Sequence, residues 1–164
     1  MNSQAKKLKT PVGDVFLAAT DNALAALLWE EAELERVGAR LSGRASSNPI
    51  LAAAEKQLEE YFRGERLRFD LPLELQGTEF QKSVWRELGK IPYGETWSYR
   101  ELAERVGNPG AVRAVGSANG RNPVSIFIPC HRVVRTGGEL GGYAGGLGNK
   151  RFLLDLEKNR GRPV

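Results

Sequence analysis

The chain has 164 residues, 41% of them hydrophobic, which is enough for one ordinary domain or two small ones with a packed core. One cysteine rules out an internal disulfide, and one cysteine with one histidine falls short of the roughly four ligands that a structural zinc site needs. The net charge of +4 is uneven: residues 1–75 carry 10 Lys/Arg against 12 Asp/Glu and residues 76–164 carry 14 against 8, so a polyanion would bind the second half.

No run approaches the roughly 18 apolar residues of a membrane span, and Met1-Asn2-Ser3-Gln4-Ala5-Lys6-Lys7 lacks the apolar core of a signal peptide. A cytoplasmic protein is expected, nuclear in a eukaryote. Residues 12–29 alternate between apolar and polar, with Gly13-Asp14 and Asp21-Asn22 as turn signals, and predict a short meander of strands. Residues 30–40 predict a short helix. The segment Ser42-Gly43-Arg44-Ala45-Ser46-Ser47-Asn48-Pro49 reads as a loop that ends in a helix start, because residues 50–62 place Leu51, Ala54, Leu58, Tyr61 and Phe62 on one face. Phe69-Asp70-Leu71-Pro72-Leu73 reads as an extended linker. The composition shift at 75–78 then divides an acidic half (1–75) from a basic one (76–164).

In the second half Thr78 is placed to cap a helix in which Phe80, Val84, Trp85 and Leu88 recur at helical spacing, and Ile91-Pro92-Tyr93-Gly94 stops it. Ser98 with Glu101 three residues on predicts a capping box for a helix that closes at Gly107. After Gly107-Asn108-Pro109-Gly110 a second short helix is expected over 111–119. Two short helices around such a turn read as a helix-turn-helix. The second is rich in Ala, Gly and Val, with Arg113 as its one long polar side chain, so it lacks the bidentate set that reads bases in the major groove. Small side chains suit a close approach to the backbone or a narrower groove instead, which implies DNA binding without sequence reading.

Residues 124–134 contain the apolar run that delivers Cys130 to the end of a strand-like segment, where Pro129 prevents further ladder pairing. His131 beside it can take the thiol proton directly or through water, and the thiolate is the strong nucleophile. A carboxylate would orient that histidine, and the helix expected over 150–158 offers Glu157 and Asp155. The glycine-rich run from Gly141 to Lys150 lacks the order of a nucleotide-binding loop and reads as a flexible pocket wall.

Ile128-Pro129-Cys130-His131-Arg132-Val133 resembles the active-site signature of the O6-alkylguanine-DNA alkyltransferases. Phe80-Gln81, Val84-Trp85, Ile91-Pro92-Tyr93-Gly94-Glu95-Thr96, Ser98-Tyr99, Leu102-Ala103, Gly107-Asn108-Pro109, Arg113-Ala114-Val115-Gly116, Asn122-Pro123 and Gly142-Tyr143-Ala144-Gly145-Gly146-Leu147 follow in the family's order and spacing. The match is close over residues 76–158 and weaker before them.

The resemblance implies an α/β (α+β) fold, with a small sheet-plus-helix domain followed by a helical, winged-helix-like domain that carries the helix-turn-helix. It implies irreversible, one-turnover transfer of an alkyl group from O6-alkylguanine in double-stranded DNA to Cys130, without cofactor or metal, and leaves O4-alkylthymine open. Cys130 would be the nucleophile, His131 a water-mediated base, Glu157 the partner of His131, and Asn122 the residue that holds the turn before the active site. Arg113 would fill the place of the extruded base, and Tyr99 would crowd the phosphate and protonate the leaving guanine. Arg100, Asn108 and Thr136 complete the expected DNA-facing set. Tyr143, Val133 and Ala144 would line the base pocket, with Ala144 where some members carry a serine. A monomer in solution is expected, with cooperative assembly on DNA left open. Two rivals are a non-catalytic lesion-binding relative, in which the cysteine would be replaced, and a helix-turn-helix regulator, in which the second helix would read bases. A third, a cysteine hydrolase, would need a Cys-His pair that is not adjacent in sequence.

Overall fold

The computed structural model describes residues 3–42 and 47–159, and the chain divides into two compact units, Met1–Gln76 and Gly77–Val164. Met1 and Asn2 of the N-terminal stretch, and residues 43–46 of the serine-rich loop, lie outside the described residues.

In the first unit β1 (Ser3–Thr10), β2 (Gly13–Ala19), β3 (Leu24–Leu28) and β4 (Ala39–Leu41) form one sheet in the order β3-β2-β1-β4. β1 pairs antiparallel with β2 and parallel with β4. The turn between β1 and β2 closes because Gly13 takes φ 95 and the Thr10 hydroxyl donates to its carbonyl at 2.7 Å. β1 was not expected from the sequence. Its lysines break the apolar alternation, and only Ala5 is fully buried, so the strand is specified by its partners more than by its own pattern.

Residues 30–40 hold the expected short helix, though not an α-helix. They make a 3-10 helix, Glu31–Val37, that buries only Leu34 and ends at left-handed Gly38, after which the chain turns into β4. One buried side chain gives an α-helix no stripe to dock. By contrast α1 (Pro49–Phe62) buries Leu51, Ala54, Leu58 and Tyr61 with Gln57, and Asn48 Oδ1 caps it by accepting from the amides of Ile50 and Leu51. The expected linker over 69–73 is joined to the sheet instead: Leu24 N donates to Pro72 O and Glu74 N to Leu24 O, both at 2.9 Å.

The second unit is helical. α2 (Glu79–Leu88) starts in a full capping box between Thr78 and Gln81 and buries Val84, Trp85 and Leu88. β5 (Trp97–Ser98) leads into α3 (Tyr99–Val106), whose first turn is capped by Ser98 accepting from Glu101 N, and α3 ends at Gly107 with φ 90. α4 (Val112–Gly120) follows, and α2, α3 and α4 pack on one another as a helix-turn-helix with a supporting helix. Trp85 Nε1 donates to Ala118 O at 2.8 Å, which ties α2 to α4. After a 3-10 turn, Cys130–Arg132, the short β6 (Val133–Val134) pairs parallel with β5, and α5 (Leu147–Asn159) ends the described chain. This is a mixed α/β fold, a sheet domain followed by a helical one. No helix among the described residues is long and apolar enough to cross a membrane.

Candidate active site

The segment before Cys130 is a tight turn and not the strand expected from its apolar content. Asn122 spans it, with Oδ1 accepting from Val124 N at 3.0 Å and Nδ2 donating to Ile128 O at 2.8 Å, while Ile128 N donates to Val124 O at 2.9 Å. Reversal within so few residues puts Ile126 at φ 74, in a region that a β-branched side chain enters at a cost of about 1–3 kcal/mol. Ile126 is buried, and its packing with the Asn122 bonds offsets that cost. Cys130 therefore enters its 3-10 turn from a fixed direction, its amide donating to Ile128 O at 2.8 Å.

The thiol is buried, and its Sγ lies 4.0 Å from Ser125 Oγ. Burial pushes Cys130 above its ordinary value, against hydrogen bonds from Asn122 and Ser125 and the charge of Lys150, so the resting group is a thiol. A base must take its proton. His131 is fully buried, and its Nε2 lies 2.7 Å from Glu157 Oε2. Among the described residues nothing hydrogen-bonds its Nδ1. Burial holds His131 below its ordinary value, although the hydrogen bond and charge of Glu157 oppose this, so the ring is neutral.

Burial also pushes the Glu157 carboxyl up, but the hydrogen bond from His131 and the hydrogen bonds and charge of Arg132 outweigh it and hold Glu157 at about 2. An ionised carboxylate only accepts, so the single ring proton of a neutral His131 sits on Nε2 and the lone pair on Nδ1. Of the two carboxylates offered by the sequence only Glu157 enters the site, because α5 turns Asp155 to solvent.

Two buried cations had no role in the sequence reading. Arg132 donates from Nε to Glu157 Oε1 at 2.8 Å, from Nη2 to Glu157 Oε2 at 3.0 Å and from Nη1 to Ile91 O at 2.7 Å. Lys150 Nζ donates to Val133 O at 2.6 Å, to Gly142 O at 3.2 Å and to Leu140 O. Burial lowers Lys150 to about 8, which leaves it mostly charged at neutral pH. Its bonds tie down the glycine-rich segment, so the wall expected to be flexible is anchored at Leu140 and Gly142. A signal was present: Lys150, Leu153 and Glu157 fall on one stripe of α5 and are its buried residues.

A surface groove of about 280 Å³ brings together Tyr99, Arg100 and Thr136 of the expected DNA-facing set and adds Arg135, which the sequence reading passed over. Tyr99 sits closely against Gly141, where a Cβ would lie 3.0 Å from its hydroxyl, and against Gly116 on α4. Burial pushes Tyr99 above its ordinary value. Arg113 is exposed on α4 and Asn108 is exposed in the turn before it. Val133, Tyr143 and Ala144 do not line this groove: Val133 is buried with its carbonyl engaged by Lys150, Tyr143 is half-buried and Ala144 is exposed.

Comparison with known proteins covers both units. A family described as 6-O-methylguanine DNA methyltransferase, DNA binding domain, matches residues 79–159, and one described as 6-O-methylguanine DNA methyltransferase, ribonuclease-like domain, matches residues 5–75. The chain is 45% identical over 158 residues to a methylated-DNA–protein-cysteine methyltransferase of Mycobacterium tuberculosis, a match that covers 94% of this chain and 92% of the relative. It is 46% identical over 154 residues to the protein of that description from Methanosarcina barkeri, covering 93% and 95%. The crystal structure of Mycobacterium tuberculosis OGT in complex with DNA superposes with a TM-score of 0.85 at 42% identity, over 98% of this chain and 94% of that one.

Proposed function

The chain belongs to the 6-O-methylguanine DNA methyltransferase family, and from that premise we infer a protein of direct-reversal DNA repair that takes the alkyl group of an O6-alkylguanine in DNA onto Cys130, once per molecule. The observation that carries the site assignment is the arrangement around the chain's one cysteine. Cys130 is followed by a buried neutral histidine whose Nε2 is committed to Glu157 and whose Nδ1 is left for the thiol proton.

The steps balance as a single displacement. His131 Nδ1 takes the proton of Cys130 through a bridging water, and the thiolate attacks the alkyl carbon. The carbon–O6 bond breaks, its electron pair stays on the guanine, and the guanine takes a proton at a ring nitrogen from Tyr99. The product is a thioether on Cys130, which nothing in the site reverses. A thiolate cannot reach the alkyl carbon inside stacked bases, so the nucleotide turns out into the protein at a cost of a few kcal/mol. Arg113 offsets part of that cost by occupying the vacated place. Arg100, Arg135 and Thr136 of the groove hold backbone phosphates beside Tyr99, Asn108 does so from the turn before α4, and Tyr143, Val133 and Ala144 face the extruded base. The outward residues of α4, Val112, Arg113, Ala114, Ser117 and Gly120, carry no long side chain apart from the arginine, which lets the helix lie close to DNA without reading it. The place of action is the cytoplasm.

Intact-mass measurement after incubation with O6-methylguanine DNA tests the reading. The unaltered chain gains one methylene on Cys130 and no more with excess DNA, whereas Cys130→Ser and Cys130→Ala gain nothing and keep DNA affinity within a few-fold, because phosphate contacts supply binding. Transfer by either variant sinks the nucleophile assignment.

A further inference from the structure

His131 has been given a lone pair on Nδ1, yet it is buried next to an anion. A full negative charge 2.7 Å from an imidazole nitrogen ordinarily draws a proton onto the ring, and an imidazolium has no lone pair with which to take a proton from a thiol. Burial of the ring is the largest influence against that proton, and a cation that offsets Glu157 without competing for the ring would add to it. Arg132 is in place to do so. Its guanidinium, 6% exposed, takes Glu157 in a two-pronged grip through Nε and Nη2, and its third bond, to Ile91 O, fixes the plane of that grip from the start of another segment.

The carboxylate's four ordinary acceptor positions are then accounted for. Oε1 accepts from Arg132 Nε and, at 3.3 Å, from Gly94 N, while Oε2 accepts from Arg132 Nη2 and His131 Nε2. We propose that Arg132 is a positioning residue of the transfer reaction: by neutralising and orienting Glu157 it keeps His131 an uncharged base with its proton on Nε2 and its lone pair on Nδ1. The proposal rests on the reading of Cys130 as the nucleophile, but the state of the ring is measurable without any transfer.

The other groups that bear on the ring are few. From α5, Lys150 adds a second positive charge that disfavours an imidazolium, and Glu157 favours one. From its own turn Arg132 disfavours it, Cys130 is an uncharged thiol, and Tyr143 is held protonated by its burial, well above its ordinary value. The Arg132 guanidinium lies over the Tyr93 ring, 5.6 Å from its centroid. With His131 neutral, Arg132 is a cation bonded directly to Glu157. A lysine at the same place would keep the charge but lose the fork.

The chain has one histidine, so its ring nitrogens give an unambiguous nitrogen-15 spectrum. In the unaltered protein the expected spectrum is that of a neutral ring protonated on Nε2 throughout the mildly acidic to mildly alkaline range. A charged ring at neutral pH, or a proton on Nδ1, overturns the proposal, and this arm needs no substitution. In Arg132→Met the pair formed by His131 and Glu157 should take up a proton at neutral pH, seen as imidazolium shifts. The transfer rate there should fall at least about 10-fold and recover as pH is raised, because deprotonation of the ring restores the base. Adding Glu157→Gln to Arg132→Met removes both charges and should return the ring to neutrality. Arg132→Lys should keep the ring neutral while lowering the rate at every pH. If the ring of Arg132→Met stays neutral and its rate falls equally at all pH values, Arg132 is a structural residue and nothing more. Absence of a Cys130 adduct in the unaltered protein would instead defeat the nucleophile assignment and leave the ring measurement standing.

Discussion

Cys130 is poor as a free nucleophile, because burial favours the thiol over the thiolate and places the burden on His131. The adjacent pair in the sequence suggests rescue of a His131 variant near the unperturbed thiol value. The buried environment moves that rescue upward. His131→Gln is expected to lower transfer by about 10²-fold or more at neutral pH and to regain rate only as pH rises above the ordinary thiol range, where hydroxide supplants the base. Single-turnover rates across pH check this, and a variant whose rate is independent of pH counts against proton transfer through His131. Of the carboxylates near the C-terminus, Glu157 lies inside and Asp155 outside, a distinction made by two residues of helical rotation.

At the scale of elements, α4 and α5 divide the work. α4 presents Arg113 to solvent and buries Val115, Ala118 and Asn119, so Arg113→Ala leaves the helix packed. DNA binding should survive that change with a loss of at most about one unit of salt slope. The rate on duplex DNA should fall roughly 10²-fold, since the extruded state loses the group that fills the gap, while reaction with free O6-benzylguanine, which needs no extrusion, should hardly change. Equal losses on both substrates would make Arg113 a support of the pocket. On α5, Lys150 serves carbonyls of three residues before the helix begins. Lys150→Met leaves those acceptors without their donor and should destabilise the second unit by about 1–3 kcal/mol. Amide exchange should quicken over residues 140–142 before it does elsewhere, and unchanged protection there would mean that the glycine-rich segment is held by its own turns.

For the whole molecule the buried charges make stability depend on pH. Glu157 is held at about 2 against an ordinary value of 4.5, so its contribution, about 3 kcal/mol, is complete above 4.5 and is lost as pH falls toward 2. His131 is held below 6.5, so on acidification an unfolded chain takes up a proton that the folded chain refuses, and stability falls there too. Both act in one direction. Denaturant unfolding followed by tryptophan fluorescence should show stability falling from neutral pH and falling most steeply below about 4.5, with Glu157→Gln losing the steep part. A profile that is level from neutral pH to about pH 3 would show that neither group is held as described.

Local patterns determined what depends on neighbours along the chain. Thr78, Asn48 and Ser98 cap helices because a short polar side chain reaches amides two or three residues on. The turn between α3 and α4 follows from Gly107 and its surroundings, and the motif around Cys130, with Asn122 and Glu157, identified the family. Tertiary structure decided what depends on partners remote in sequence. β1 is a strand because β2 and β4 flank it, and residues 30–40 are not an α-helix because they have almost nothing to bury. The apolar run before Cys130 is a turn because Asn122 bonds across it. Arg132 and Lys150 have no assigned role in the sequence, and the packing of α5 against the Cys130 turn makes them interior cations. A charge can be buried only where its partners meet it, and those partners come from residues 8 to 41 positions away.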